Sequence, residues 1–170
     1  MINFPIRTSS EENFKPKENS GPVIEFIEIF TSHVDCDLIM LFFQYELGIT
    51  VNFANPAAIS PFNFSVSGFL NALNGIGSVA LIHAIVGCIV LLLALVNMVM
   101  ALGSKVRSAQ VSGVLSFITM VFATGGGLFF VLSGFQSDNA SHTMATNLLL
   151  SFVLLFLELY AIKPEKAKVN

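Results

Sequence analysis

Between Lys17 and Lys105, and again between Arg107 and Lys163, the chain carries no Lys or Arg at all. Its eight basic residues sit in three places: Arg7, Lys15 and Lys17; Lys105 and Arg107; Lys163, Lys166 and Lys168. A water-soluble domain devotes about a quarter of its residues to charge and spreads them over its surface. Here only 11% of 170 residues are charged and 54% are hydrophobic, giving a mean hydropathy of +0.77. Lipid is the solvent that suits stretches of this kind.

A helix crossing the hydrocarbon core needs about 20 predominantly apolar residues. Residues 79–102 supply one span, with His83 and Asn97 as the strongly polar side chains. Residues 111–133 supply a second without any charge, and residues 143–162 a third with one charge, Glu158, near its end. Pro164 and the lysines after it are expected to stop that last helix. Upstream, Glu25, Glu28, Ser32 and Asp35 recur at helical spacing while Ile24, Ile27, Phe30 and Val34 take the other side. The pattern predicts one long helix from Pro22 to about Asn52. Its first half is expected to lie at or project from the membrane interface, and residues 36–53 to cross. Pro22 suits a first-turn position.

Pro56 and Pro61 point to irregular chain after this helix. Phe69, Leu70, Leu73 and Ile76, set against Asn71, Asn74 and Ser78, then predict a short interfacial helix in the first external loop. A continuous helix over residues 66–102 would be about 55 Å long against a core of about 30 Å, so a bend is expected at Gly75 and Gly77. The expected fold class is all-α: a polytopic membrane helical bundle of four transmembrane helices. Residues 1–21 would form a flexible N-tail, residues 22–162 one transmembrane domain, and residues 163–170 a basic tail.

Cytoplasmic loops collect Lys and Arg. The Lys105–Arg107 loop and the basic tail are separated by two spans and share a side, whereas the two opposite loops carry no basic residue. The expectation is a plasma-membrane protein with both termini cytoplasmic. Two N-x-S/T triplets, at Asn63 and Asn139, fall in the predicted external loops and are the candidate N-glycosylation sites.

Small residues recur along each span. Ser112, Ser116, Thr119, Ala123 and Gly127 mark the third helix, Ala80, Ala84, Gly87, Ala94 and Ala101 the second, and Thr143, Asn147, Ser151 and Glu158 form a stripe on the fourth. Such faces let helices approach closely in lipid, and Asn97 and Asn147 are expected to find partners inside the bundle. Gly125-Gly126-Gly127 reads either as a tight crossing or as a hinge lining a cavity.

Several classes of chemistry have no support. No basic cluster is interleaved with aromatics, so nucleic acid is not an expected partner. Cys36 and Cys88 form no CxxC pair and are expected not to pair with each other. No nucleophile elbow, H-E-x-x-H motif or phosphate loop occurs, so no enzyme activity is expected. One candidate is a bis-histidine haem b, with His83 and His142 at matched depth on different helices as axial ligands and Gly87 leaving room for the porphyrin. The alternative is that both are satisfied or interfacial histidines, with Ser141 as N-cap and His142 in a first turn. A second candidate is a proton or ion path through Glu46, Asn97 and Glu158, since ionisable residues within spans are functional hypotheses by default. Glu46 would then pair with Asn97 or Gln44, while Glu158 is expected to snorkel or meet Lys163. The leading expectation is a small accessory or structural subunit with no chemistry of its own. Its partners would be the bilayer and either a larger membrane protein or its own copies, and its acidic segment over residues 23–35 would serve for docking.

Overall fold

The computed structural model describes residues 22–53, 65–76 and 78–169. Every described element is an α-helix: α1 Pro22–Phe53, α2 Val66–Ile76, α3 Ser78–Gly103, α4 Arg107–Leu132 and α5 Asp138–Val169. Residues 1–21 and Asn63 lie outside the described residues. α3, α4 and the Asp138–Ile162 part of α5 are long and apolar enough to cross a membrane. The chain is therefore a membrane-embedded helical bundle.

The bundle has four members. α1, α3, α4 and α5 pack in cyclic order, each against the next and α5 back against α1, with no close backbone approach across either diagonal. Neighbours run antiparallel, as the cross-helix contacts show: Gln44 of α1 lies against Gly87 of α3 and Gly48 against His83, while Gly113 and Gly126 of α4 lie against Glu158 and Met144 of α5. α2 leans on α3 and α4; it ends at Ile76 and α3 begins at Ser78, and Gly77, one of the two residues expected to bend the chain, lies outside the described residues.

The buried side chains explain why these helices pair. On α1, Ile27, Phe30, Val34, Asp37, Leu41, Gln44 and Val51 are buried, spaced alternately by three and four residues with Gly48 filling the remaining step. On α3 the buried set is Ala80, Val90, Ala94, Asn97 and Ala101, and on α5 the buried residues Leu148, Ser151, Leu155, Glu158 and Ile162 form the same kind of row, with Ala140, Leu154 and Leu159 buried beside it. A repeat averaging 3.5 residues keeps one seam of a helix facing its neighbours along its whole length. α3, α4 and α5 turn large apolar side chains outward, among them Leu92, Val99, Phe122, Phe156 and Tyr160, whereas α1 exposes Ile39 and Phe42 together with Glu25, Glu28, Asp35 and Glu46. The arrangement of α3, α4 and α5 suits lipid, where backbone packing and interhelical hydrogen bonds, rather than apolar burial, join helices.

α1 departs from expectation in its first half. That half does not leave the bundle: Ile27, Phe30 and Val34 are buried in it, and Pro22, Phe26 and Phe30 share a cavity with Gly103, Lys105 and Ile162. The apolar side of the amphipathic segment is thus used within the chain, because it continues the seam of residues 37–51. The same cavity shows that the start of α1, the α3–α4 turn and the apolar end of α5 occupy one end of the bundle.

Two helix ends also differ. α5 starts at Asp138 rather than 143, because Ser137, not Ser141, is its cap: Ser137 Oγ accepts the Ala140 N–H at 3.3 Å, and its carbonyl accepts the N–H groups of Ala140 and Ser141. At the other end the helix passes Pro164 and continues to Val169, since Glu165, Lys166, Ala167 and Lys168 are good helix formers. The α4–α5 connection is tight. Gly134 and Phe135 both take positive φ, 69° and 63°, and the Phe135 ring packs edge-on against Phe130 at 5.3 Å.

α4 is unbroken through Gly125-Gly126-Gly127. A Cβ on Gly126 would lie 3.1 Å from the Met144 nitrogen and 3.2 Å from the Ala140 carbonyl oxygen, so this glycine sits where α5 crosses against backbone. Cys36 and Cys88 are free thiols, and both are exposed; Cys88 does not fill the interior.

Candidate functional site: a polar centre in the bundle

Glu158 stands at the axis of the bundle with no solvent exposure. α3 and α4 close on it directly, and the fourth helix, α1, packs alongside α5. Asn97 of α3, 1% exposed, donates from Nδ2 to Glu158 Oε2 at 2.8 Å across the diagonal. From α4, Gly113 brings bare backbone alongside, so near that a Cβ there would lie 3.0 Å from Glu158 Oε1. α1, which packs against α5, adds a second buried acid, Asp37, 3% exposed.

The hydrogen-bond accounts of these groups do not close. Among the described residues, both Asp37 carboxylate oxygens, Glu158 Oε1 and Asn97 Oδ1 are buried without a hydrogen-bond partner. The basic group near Asp37 is His33, one turn earlier on α1, with Nε2 3.9 Å from Oδ1; that nitrogen also lies 3.3 Å from the Leu93 carbonyl oxygen. An ionised acid within a span costs about 2.5–3.5 kcal/mol on insertion scales and more by continuum estimates. Two such acids, both ionised in one bundle, would consume much of the 5–15 kcal/mol by which a typical protein is stable. Neutralisation by a proton or a small cation removes that cost.

A second polar layer lies seven residues further along α1, about 10 Å away at 1.5 Å per residue. The Gln44 amide nitrogen is 3.4 Å from His83 Nε2, and Gln44 Oε1 and His83 Nδ1 are buried without a partner among the described residues. Glycines on the facing helices make the room. A Cβ on Gly87 would lie 2.9 Å from Gln44 Nε2, and one on Gly48 would lie 3.2 Å from His83 Cε1. A third layer joins Thr119 of α4 to Ser151 of α5 at 2.6 Å.

The residues expected to carry function are thus redistributed. Asn97 and Glu158 are brought together, directly bonded. Glu46 is not part of this centre: its side chain is exposed on α1, two residues past the seam position Gln44, and Asn97 has Glu158 as its partner instead. Glu158 neither snorkels nor reaches for the basic end, because its seam position points it at the axis. Asn147 bonds back to the Thr143 carbonyl oxygen of its own helix at 2.8 Å. Asn139 is exposed at the start of α5. Asp37 was missed by sequence reasoning, although its three- and four-residue steps from Phe30, Val34, Leu41 and Gln44 mark it.

His83 and His142 are not brought together. They lie on α3 and α5, the diagonal pair without close backbone approach. His83 points into α1, and the Gln44 amide occupies the space beside Gly87 that a porphyrin face would need. His142 is exposed on the outside of α5. This arrangement does not fit an axial pair for one haem. Among the described residues, no group of three or more His, Cys, Asp and Glu could hold a metal ion.

Fold and site together define the class: a membrane-embedded helical bundle of four packed helices with two acids, Asp37 and Glu158, buried inside it. No protein-family model, no curated protein and no solved structure matches the chain.

Proposed function

We propose that this is a small multi-pass membrane protein that binds and releases a proton or a monovalent cation at the Asp37–Asn97–Glu158 centre. The observation that carries this reading is two buried acids on packed neighbouring helices, Asp37 of α1 and Glu158 of α5, with three of their four carboxylate oxygens lacking a hydrogen-bond partner among the described residues. A structural polar contact has no use for a second acid. Asn97 with Glu158 alone would join the helices, and an apolar residue at Asp37 would stabilise the seam. A site that exchanges charge needs the second acid, as carboxylates that share a proton do in other proteins.

In this reading α1 is a fourth crossing, supported by its antiparallel run along α3. Both termini face the cytoplasm of a plasma-membrane protein, supported by the gathering of the α1 start, Lys105 and Ile162 at one end and by the positive-inside rule. The subunit role expected from the sequence is compatible with such a site, and a stoichiometric partner on purification would add it to the account.

The test is flux in proteoliposomes. The purified chain should relax an imposed proton or sodium gradient, and Glu158→Gln, which keeps shape and the bond to Asn97, should abolish the relaxation. Equal flux through wild type and variant would overturn the reading.

A further inference from the structure

The ion passing through the centre is identified by the second polar layer, and this inference rests on the reading above. We propose that Gln44 and His83 form a second proton-binding station. It would serve the acid centre from the α2 end of the bundle across an apolar layer made by Leu41, Val90 and Leu155. The ion is therefore a proton.

The geometry has three parts. First, a buried Gln44 and a half-buried His83 are held together at a cost. Gln44 is 7% exposed, and its Oε1 and His83 Nδ1 are buried without partners among the described residues. Gly48 and Gly87 are held small to admit the two side chains. Leucine at position 44 and phenylalanine at position 83 would fill the same space without that cost, so packing alone does not call for this pair.

Second, its chemistry is that of a proton acceptor. As placed, the Gln44 amide N–H donates to His83 Nε2, which leaves the ring hydrogen on Nδ1. Uptake of a proton from hydronium at Nε2 gives the imidazolium. The Gln44 amide then turns so that Oε1, otherwise unpartnered, accepts the new N–H. Release toward the centre occurs when water enters the apolar layer and carries the proton to a carboxylate there, restoring the neutral ring. No bond other than N–H and O–H is made or broken. Around His83, α1 presents Gln44 and Gly48, α2 has no titratable residue, and α4 contributes none beyond Arg107 at its far end. The nearest acids in sequence on α1 are the exposed Glu46 and, beyond the apolar layer, Asp37. An imidazole in this position serves protons and is a poor ligand for sodium, a hard cation that prefers oxygen.

Third, the two stations are insulated. Leu41 lies between Asp37 and Gln44 on α1, Val90 between His83 and Asn97 on α3, and Leu155 between Ser151 and Glu158 on α5. All three are at most 2% exposed and belong to one apolar cluster. A dry layer between two protonatable groups lets the centre exchange with this side only when the layer is wetted or its helices shift.

The experiment measures proton flux in proteoliposomes with an internal pH dye, and sodium flux in parallel, for wild type, His83→Phe and Gln44→Leu. With it goes ¹⁵N NMR of the His83 ring in the wild-type protein. Proton flux should fall by about tenfold or more in His83→Phe, as for loss of a positioned proton-transfer group, while the Glu158 carboxyl remains visible in the infrared spectrum. The ring of the wild type should pass from one to two protonated nitrogens as the pH on its side is lowered. Wild-type proton flux through His83→Phe, or a ring that stays neutral throughout, overturns the inference and leaves the acid-centre reading standing. Sodium flux without proton flux does the same. Loss of all ion flux only on changing His83, with Glu158→Gln conducting normally, would instead remove the acid-centre reading.

Discussion

Gly113 offers a sharp test of how the acid centre is packed. A Cβ added there would lie 2.5 Å from the Ala101 Cβ and 3.0 Å from Glu158 Oε1. Two carbons rest at about 3.5–4.0 Å, so Gly113→Ala must push α3 and α4 apart locally by about 1–1.5 Å. The atom in the way is a methyl fixed to the α3 backbone, which cannot turn aside. Overpacking of this kind costs about 1–3 kcal/mol, against a gain of about 1 kcal/mol in helix propensity from replacing glycine by alanine. Gly125, on the same helix, isolates the first effect, because a Cβ there meets nothing within 4 Å. Gly125→Ala should therefore collect the propensity gain alone. The two variants should differ by about 1–3 kcal/mol in equilibrium unfolding from mixed detergent micelles, followed by circular dichroism. Gly113→Ala should also disturb the Glu158 carboxyl signal, which Gly125→Ala should leave alone. Equal stabilities for the two variants would refute the close approach of α3, α4 and Glu158.

Other expectations follow from the same bundle. The Thr119–Ser151 bond should show a coupling of about 0.6 kcal/mol, and at most about 1.7, in a double-mutant cycle of Thr119→Val and Ser151→Ala; additive effects would remove that bond from the account. In a chain lacking Cys36 and Cys88, a membrane-impermeant maleimide should reach Ser108→Cys and Asn139→Cys from opposite faces of the membrane. Labelling of both from one face would break the topology.

The sequence made the bundle legible and misdirected attention within it. Long stretches without basic residues located α3, α4 and α5, because hydrocarbon excludes charge so strongly that composition alone marks a span. The ends were harder to read. Ser137 and Ser141 are both competent caps, and which one starts α5 depends on where the Gly134–Phe135 turn releases the chain. Asp37 was overlooked because it sits two residues after Asp35, in what reads as an acidic face. At 100° per residue, however, the two acids are about 200° apart, and only Asp37 falls on the seam. Glu46 draws interest for the converse reason: it lies within the expected crossing, residues 36–53, but off the seam, and its side chain stays outside. Glu158 was seen as close to the basic end, yet its register with Ser151 and Ile162 decides its direction. Distance along the chain told depth; only the seam told which way a side chain points. The Gln44–His83 pair was beyond reach of either, since it depends on glycines of two helices meeting.

The central claim, that Glu158 and Asp37 are held neutral by an exchangeable ion at the bundle axis, is tested most directly by infrared spectroscopy of the carboxyl groups in sodium-free membranes. Wild-type protein should show a protonated-carboxyl C=O stretch that moves on exchange into heavy water, vanishes or weakens in Glu158→Gln and Asp37→Asn, and is altered by Asn97→Leu. Spectra of wild type and Glu158→Gln that coincide across the carboxyl region would contradict the account.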